Sequence, residues 1–577
     1  MRDLKDTPSG DKALADSSSD DQARILRKEL ARLTRGASPV STVNMISDWA
    51  LHLALAPDKK LSLALKAQEN WLKWMGMGAQ ETAQEAHAPS QRPDRRFAGE
   101  AWSKQPYSSI AQGFLLAEEF ADQATSNVPG LSPSHERAMT FLMRQMMDTV
   151  APSNFLFTNP EALARTAQEH GSNLMRGGAA LFRDWQATLA GEKPQPQLRV
   201  GQDLATSKGK VVYRNHLMEL IQYEAVTETV QAEPILIVPA WIMKYYILDL
   251  SPENSMVRYL TEQGFTVFMI SWRNPGAEDA ALGMADYLQQ GPMAALDHIC
   301  AATGAGKVHT VGYCLGGTLL SIAAAAMARD GDDRLHSMTL LAAQTDFSEA
   351  GELMLFINES QVSFLEDVME AQGYLDSGQM MSAFQMLRSN DLIWSHMIRS
   401  YLMGEDDLPM NDLMAWNMDT TRMPARMHSE YLRKMFLNND LAAGRYHVDG
   451  HAVSLRDIRV PVFTVGTETD HIAPWKSVFK IHNLGHADVT FVLTNGGHNA
   501  GVVSEPGHKR RHFRLHTVRD QDKALPPEDW LEVAGRHEGS WWPAWADWLA
   551  ARSSGKTAAR VITAALEAAP GSYVRMD

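Results

Sequence analysis

The sequence predicts an α/β domain carrying a large insertion and preceded by a mostly helical domain, and three observations support this. Helical periodicity fills the chain from about residue 21 to residue 190. From about Lys210 onward, short β-branched or aromatic runs alternate with helical stretches. Those runs are almost continuously apolar, which suits a parallel sheet covered by helices on both faces.

In chain order, residues 1–20 are Ser/Asp-rich and read as a loose tail, and 21–200 form the helical domain. Inside it, a polar, Pro-containing break lies within 79–96, and PEALARTAQEHGSNLMRGGAALFRDW reads as a helix opening at Pro160. GEKPQPQLRVGQ marks a linker, after which 201–577 form the α/β domain. Its expected strands are PILIVPAW (234–241), TVFMISW (266–272), KVHTVGY (307–313), SMTLLAAQ (337–344), PVFTVGTE (461–468) and VTFVLTNGG (489–497). Between about 345 and 459 the strand signals stop, and Met-, Asn- and Asp-rich helical spacing takes over. An insertion leaving the carboxyl end of a strand can cover the ligand crevice as a lid.

Composition narrows the function classes. A net charge of −15 argues against a nucleic-acid binder, because phosphate backbones demand a basic footprint. Two cysteines, Cys300 and Cys314, are too few for a disulfide framework and too few for a structural zinc site, so the compartment reads as reducing, the cytoplasm. The first residues lack the apolar core of a secretory signal. Val308–Ala328 carries no Asp, Glu, Lys or Arg, but Tyr313, Cys314 and paired glycines interrupt it. It reads as strand, turn and buried helix, with no transmembrane segment expected.

The turn within that stretch is the strongest local signal. In Gly312-Tyr313-Cys314-Leu315-Gly316, a glycine lies two residues to either side of the central one, between an apolar strand and the helix-like TLLSIAAAAMA. Such a strained strand-to-helix turn projects one side chain alone, and a helix N-terminus favours a thiolate there. Cys314 is therefore the candidate nucleophile. An α/β-hydrolase triad runs nucleophile, acid, histidine; Asp470 follows one expected strand and His498 the next, at the same sheet edge as Cys314. His471 is read as local structure, and Cys300 as core. Backbone N–H groups of Leu315 and of Ala240 or Trp241, with Trp241 preferred, are the expected oxyanion donors.

A longer set of segments resembles the polyhydroxyalkanoate synthases: PSNFLFTNPEAL, PAWIMKYYILDL, TVFMISWRNPG, GYCLGG, WNMDTTRMPARMHSEYLR, VGTETDHIAPW, GGHNAGVVSEPG and GSWWPAWADWL. Together they span most of residues 96–550, and the helical first third is most like class I. The resemblance implies an α/β-hydrolase fold and an acyltransferase that polymerises (R)-3-hydroxyacyl-CoA into polyester and releases CoA. It makes Cys314 the acyl acceptor, His498 the base and Asp470 its partner. No cofactor and no metal are expected, coenzyme A being part of the substrate. It further implies a homodimer, in the cytoplasm at the surface of polyester granules and in company with granule-associated proteins. The paired acid usual before Tyr287 is reduced here to Asp286, for which helix capping is an equal reading.

The chemistry agrees with the resemblance. Exchanging one thioester for another keeps the acyl-enzyme close in energy to the substrate, and a narrow apolar site would keep water from it. A depolymerase or thioesterase of the same fold is the nearest alternative, and a non-catalytic granule protein the other. His508-Lys509-Arg510-Arg511 reads as a solvated basic patch or a contact for CoA phosphates, and the tryptophans at 541, 545 and 548 as a packed helix face.

Overall fold

The computed structural model describes residues 29, 31, 34, 36–76, 94–190, 198–380, 393–405, 411–484 and 486–577. The expected tail, most of the Pro-containing break and the start of the linker lie outside them. The chain divides into two compact units, Ala37–Gln195 with Met381–Met410, and Met1–Gly36 with Pro196–Met380 and Asn411–Asp577.

The first unit is helical in its described residues: α1 Pro39–Leu55, α2 Pro57–Trp74, α3 Tyr107–Thr125, α4 Pro133–Thr149, α5 Pro160–Gln168 and α6 Ser172–Ala190. Ser38, Ser132 and Asn159 cap α1, α4 and α5, each followed by proline at the first helical turn. The single helix expected from Pro160 is thus two. His170 at φ 51° and Gly171 at φ 82° turn the chain into the left-handed region, which ends α5 before α6 begins. Part of the insertion packs on α6. Asn173 Nδ2 donates to the Leu402 carbonyl at 2.7 Å, Arg176 Nε donates to that of Gly404 at 2.9 Å, and a Cβ on Gly177 would stand 2.0 Å from the Tyr401 carbonyl oxygen.

The second unit is built on one sheet of eleven strands: β1 Gly209–Arg214, β2 Met218–Tyr223, β3 Ile235–Val238, β4 Val267–Trp272, β5 Val308–Tyr313, β6 Leu335–Leu341, β7 Val462–Thr467, β8 Val489–Thr494, β9 His512–Val518, β10 Gly535–Glu538 and β11 Glu567–Ala568. Their spatial order is β10-β9-β8-β7-β6-β5-β3-β4-β2-β1-β11. Strands β8-β7-β6-β5-β3-β4 are parallel, and these are the six apolar runs read from sequence. Antiparallel strands flank them on both sides. Helix α7, Leu315–Asp330, follows β5 and is buried from Leu315 to Met327, as a helix crossing the middle of a covered sheet must be. The insertion leaves after β6 and includes α8, Glu359–Gln372, and short helices at Asp412–Met418 and Ala425–Tyr431. Among the described residues no helix is long and apolar enough to cross a membrane.

Candidate active site

Cys314 sits between the last residue of β5 and the first of α7, at φ 52° and ψ −122°, a conformation that strains any residue bearing a Cβ. Its N–H donates to the Leu341 carbonyl at 2.9 Å, and its carbonyl accepts from Gly317 N–H at 2.9 Å, fixing the turn on both sides. The flanking glycines are needed for space. A Cβ on Gly312 would lie 2.3 Å from Gly317 Cα, and one on Gly316 2.0 Å from the Val238 carbonyl oxygen. The end of β3 therefore abuts the first turn of α7. That packing sets the Val238 and Pro239 carbonyls against the first turn of α7.

Asp470 lies in the turn after β7 and His498 in the turn after β8. One Asp470 oxygen accepts N–H groups of Ile472 and Ala473, both at 2.9 Å; the other accepts Thr467 Oγ1 at 3.2 Å and His498 Nδ1 at 2.7 Å. A carboxylate only accepts, so Nδ1 carries the ring proton and Nε2 is left as the acceptor. Both side chains are buried, at 7% and 0% exposure. Burial alone would lower the His498 pKa, but the charges of Asp470 and Cys314, with the hydrogen bond that His498 donates to Asp470, raise it well above the usual histidine range. Burial works against the Asp470 charge as well, yet the imidazole and the two backbone N–H groups hold its pKa below the ordinary value.

The family models match on this framework. Residues 23–59 match the poly-beta-hydroxybutyrate polymerase N terminal, residues 93–260 the poly-beta-hydroxybutyrate polymerase (PhaC) N-terminus, and residues 233–504 the alpha/beta hydrolase fold. The chain is 42% identical over 498 residues to a poly(3-hydroxyalkanoate) polymerase of Methylorubrum extorquens, covering 84% of this chain and 81% of that one. It is 40% identical to the PhaC polymerase subunit of Rhizobium meliloti (86% and 81% covered) and 36% identical to that of Cupriavidus necator (85% and 84% covered). The chain belongs to the poly(3-hydroxyalkanoate) polymerase family. It is an acyltransferase of the α/β-hydrolase fold.

Around the three side chains, this family member supplies supports that patterns in sequence do not reveal. Tyr313 donates its hydroxyl to Asn499 Oδ1 at 2.7 Å and sets its ring 5.8 Å from the His498 ring. Asn499 Nδ2 in turn reaches Asn417 Oδ1 of the insertion at 3.4 Å. Thr421 Oγ1 donates to the Trp241 carbonyl, and Trp416 Nε1 to that of Lys244 at 2.7 Å, so the insertion also holds the turn after β3. Trp241 itself is buried in a three-ring cluster with Trp272 and Tyr287, at 6.0 and 5.0 Å from them, while those two rings stand 5.2 Å apart.

Other sequence readings resolve as structure. Asp286 accepts the N–H of Gly283 at 2.8 Å, a capping contact. In the basic run, His508, Lys509 and Arg510 are exposed, but Arg511 is half-buried and donates to the carbonyls of Ala500 at 2.6 Å and Val503 at 3.4 Å, bracing the His498 loop. Trp541, Trp542 and Trp545 are buried, and the first two donate to the Gly501 and Val502 carbonyls of the same loop, both at 3.0 Å. His471 offers its carbonyl to Glu352 N–H at 2.8 Å, and Cys300 packs half-buried against the main core.

Proposed function

We propose that this chain polymerises (R)-3-hydroxyacyl-CoA thioesters through an acyl-enzyme on Cys314, with His498 as base, Asp470 as its orienting partner, and the N–H groups of Leu315 and Trp241 as oxyanion donors. The observation that carries this reading is the buried 2.7 Å bond from His498 to Asp470, at the same sheet edge as the strained Cys314 turn, in a member of this polymerase family.

His498 Nε2 takes the Cys314 proton as Sγ attacks the thioester carbonyl. The oxyanion collapses, the bond to CoA sulfur breaks, and the CoA thiolate leaves with the proton from His498. The imidazole then accepts the hydroxyl proton of the next acyl unit or chain end, whose oxygen attacks the Cys314 thioester. An ester forms and the thiol is restored. Each proton and electron pair is carried by Cys314, His498 or substrate, which supports the reading that no cofactor takes part. Asp470 stabilises the imidazolium without taking its proton.

The homodimer, the cytoplasmic location and attachment to the granule and its associated proteins are part of the same proposal. Support for the apolar granule surface comes from the helical unit, which exposes Leu51, Leu55, Leu61, Trp71, Trp185 and Leu189. The net charge of −15 supports a chain without nucleic-acid partners. Incubation with 3-hydroxybutyryl-CoA tests the reaction: CoA and insoluble polyester are expected, whereas CoA and free 3-hydroxybutyrate would make the chain a thioesterase.

A further inference from the structure

At the edge of the sheet opposite Cys314, the amino-terminal ends of three neighbouring strands gather Glu233, His309 and His336. One ligand-type atom from each lies within 4.8 Å of the other two. The gathering depends on a break in register. Val308 pairs with Leu335 but His309 pairs with Ser337, so His336 is an extra residue in β6. A bulge of this kind re-aims the added side chain, and here the His336 ring stands 4.9 Å from that of His309, nearly perpendicular to it.

The partners of the two imidazoles leave an electron pair available, whereas both Glu233 oxygens already accept hydrogen bonds that a metal ion would have to share. His336 Nε2 lies 2.6 Å from the Arg552 carbonyl, which can only accept, so Nδ1 keeps its lone pair. His309 Nδ1 lies 2.7 Å from Ser337 Oγ, which can accept its proton; Nε2, in a residue with no exposed surface, has no hydrogen-bond partner at all. The Glu233 carboxylate is held by the hydroxyls of Ser553 and Ser554, both at 2.6 Å, and by Ser554 N–H. Two imidazoles and a carboxylate, each oriented from behind, form the donor set of a borderline divalent cation. Two cations stand nearby: Arg552, whose guanidinium is laid over the Trp548 ring at 3.9 Å, and Arg560, whose guanidinium donates to the Ala232 carbonyl at 2.6 Å and interacts with the Glu233 charge. A cavity of about 600 Å³ is lined by His336 and Arg552 among others, so the His336 side of the group borders on it.

We propose that Glu233, His309 and His336 bind one Zn²⁺ that joins the starts of β3, β5 and β6 to the Ser553–Ser554 segment. Four residues of β5 lie between His309 and Cys314, five steps or roughly 16 Å of extended chain, so the ion stabilises the sheet and does not touch the reacting atoms.

The test uses the full chain, stripped with a chelator, in the Cys314→Ala background so that the thiol cannot bind the added metal. Titration with Zn²⁺ should show one tight equivalent by calorimetry and raise the melting temperature by about 5 °C. Glu233→Gln and His336→Ala should each weaken that binding by about 100-fold or more. If His336→Ala fails to fold, Ser554→Ala, which removes only the orienting hydroxyl, should weaken it by about tenfold. Absence of a stoichiometric equivalent in the folded chain, or affinity unchanged in Glu233→Gln together with either other variant, would overturn the proposal.

Discussion

A buried imidazole that carries a raised pKa in spite of its burial must be held there by its neighbours, and His498 has two, the Asp470 carboxylate and the Cys314 sulfur. Removing either one should lower the pKa. In Cys314→Ala the His498 imidazole, followed by NMR, should titrate at lower pH than in the parent chain, and CoA release should be abolished while the far-UV circular dichroism is unchanged. An unmoved titration would mean the sulfur does not face the ring. Because folding raises this pKa, the pairing stabilises the fold below the ordinary histidine value, and the contribution is lost as pH rises through the raised one. The Asp470 contribution has the opposite sense: present above the ordinary carboxyl value, lost as pH falls through the lowered one. Asp470→Asn keeps the shape but lets the ring adopt the wrong tautomer, and kcat should drop by about 10³–10⁴-fold without loss of solubility.

The elements that position these residues were legible in the sequence where burial is uniform. All six parallel strands are near-continuous apolar runs, and the turns at their carboxyl ends supply Cys314, Asp470 and His498. The flanking antiparallel strands were not. β2 is wholly buried but includes Glu219 and Gln222, β9 is only partly buried, and β10 is exposed along its length, so none presents the apolar run that marks a covered strand. The supports of the His498 loop were hidden for another reason: a guanidinium bonded to carbonyls has the same sequence as one in solvent. Arg511 read as a member of a charged patch, yet it donates to the carbonyls of Ala500 and Val503. Arg511→Met retains the aliphatic stem and loses those bonds. Steady-state assays should show kcat reduced by on the order of 10–100-fold with KM little changed, since a displaced base acts on the chemical step. A rise in KM alone would instead assign this residue to CoA binding.

At the scale of the whole molecule, the chain order conceals how the units are composed. The sequence divides simply, helices first and sheet second, yet the described part of Met381–Met410, well inside the α/β portion, belongs to the helical unit. Its contacts there are close: the Leu402 and Gly404 carbonyls accept from Asn173 and Arg176, and α6 passes so near Tyr401 that only glycine fits at 177. Periodicity could not reveal this, because a helical pattern records which face is buried and not what buries it. The consequence is that the first third cannot be removed as a block. A chain of residues 198–577 leaves the Tyr401–Gly404 segment with its carbonyls and apolar surface unpaired, and it should accumulate as insoluble protein. The same truncation with 381–410 replaced by a Gly/Ser linker should regain solubility and a cooperative melt, because the sheet unit then lacks only its residues 1–36 and 196–197 and keeps its main core. If the simple truncation were as soluble as the linker variant, with the same melting temperature, the segment would owe nothing to the helices it packs on.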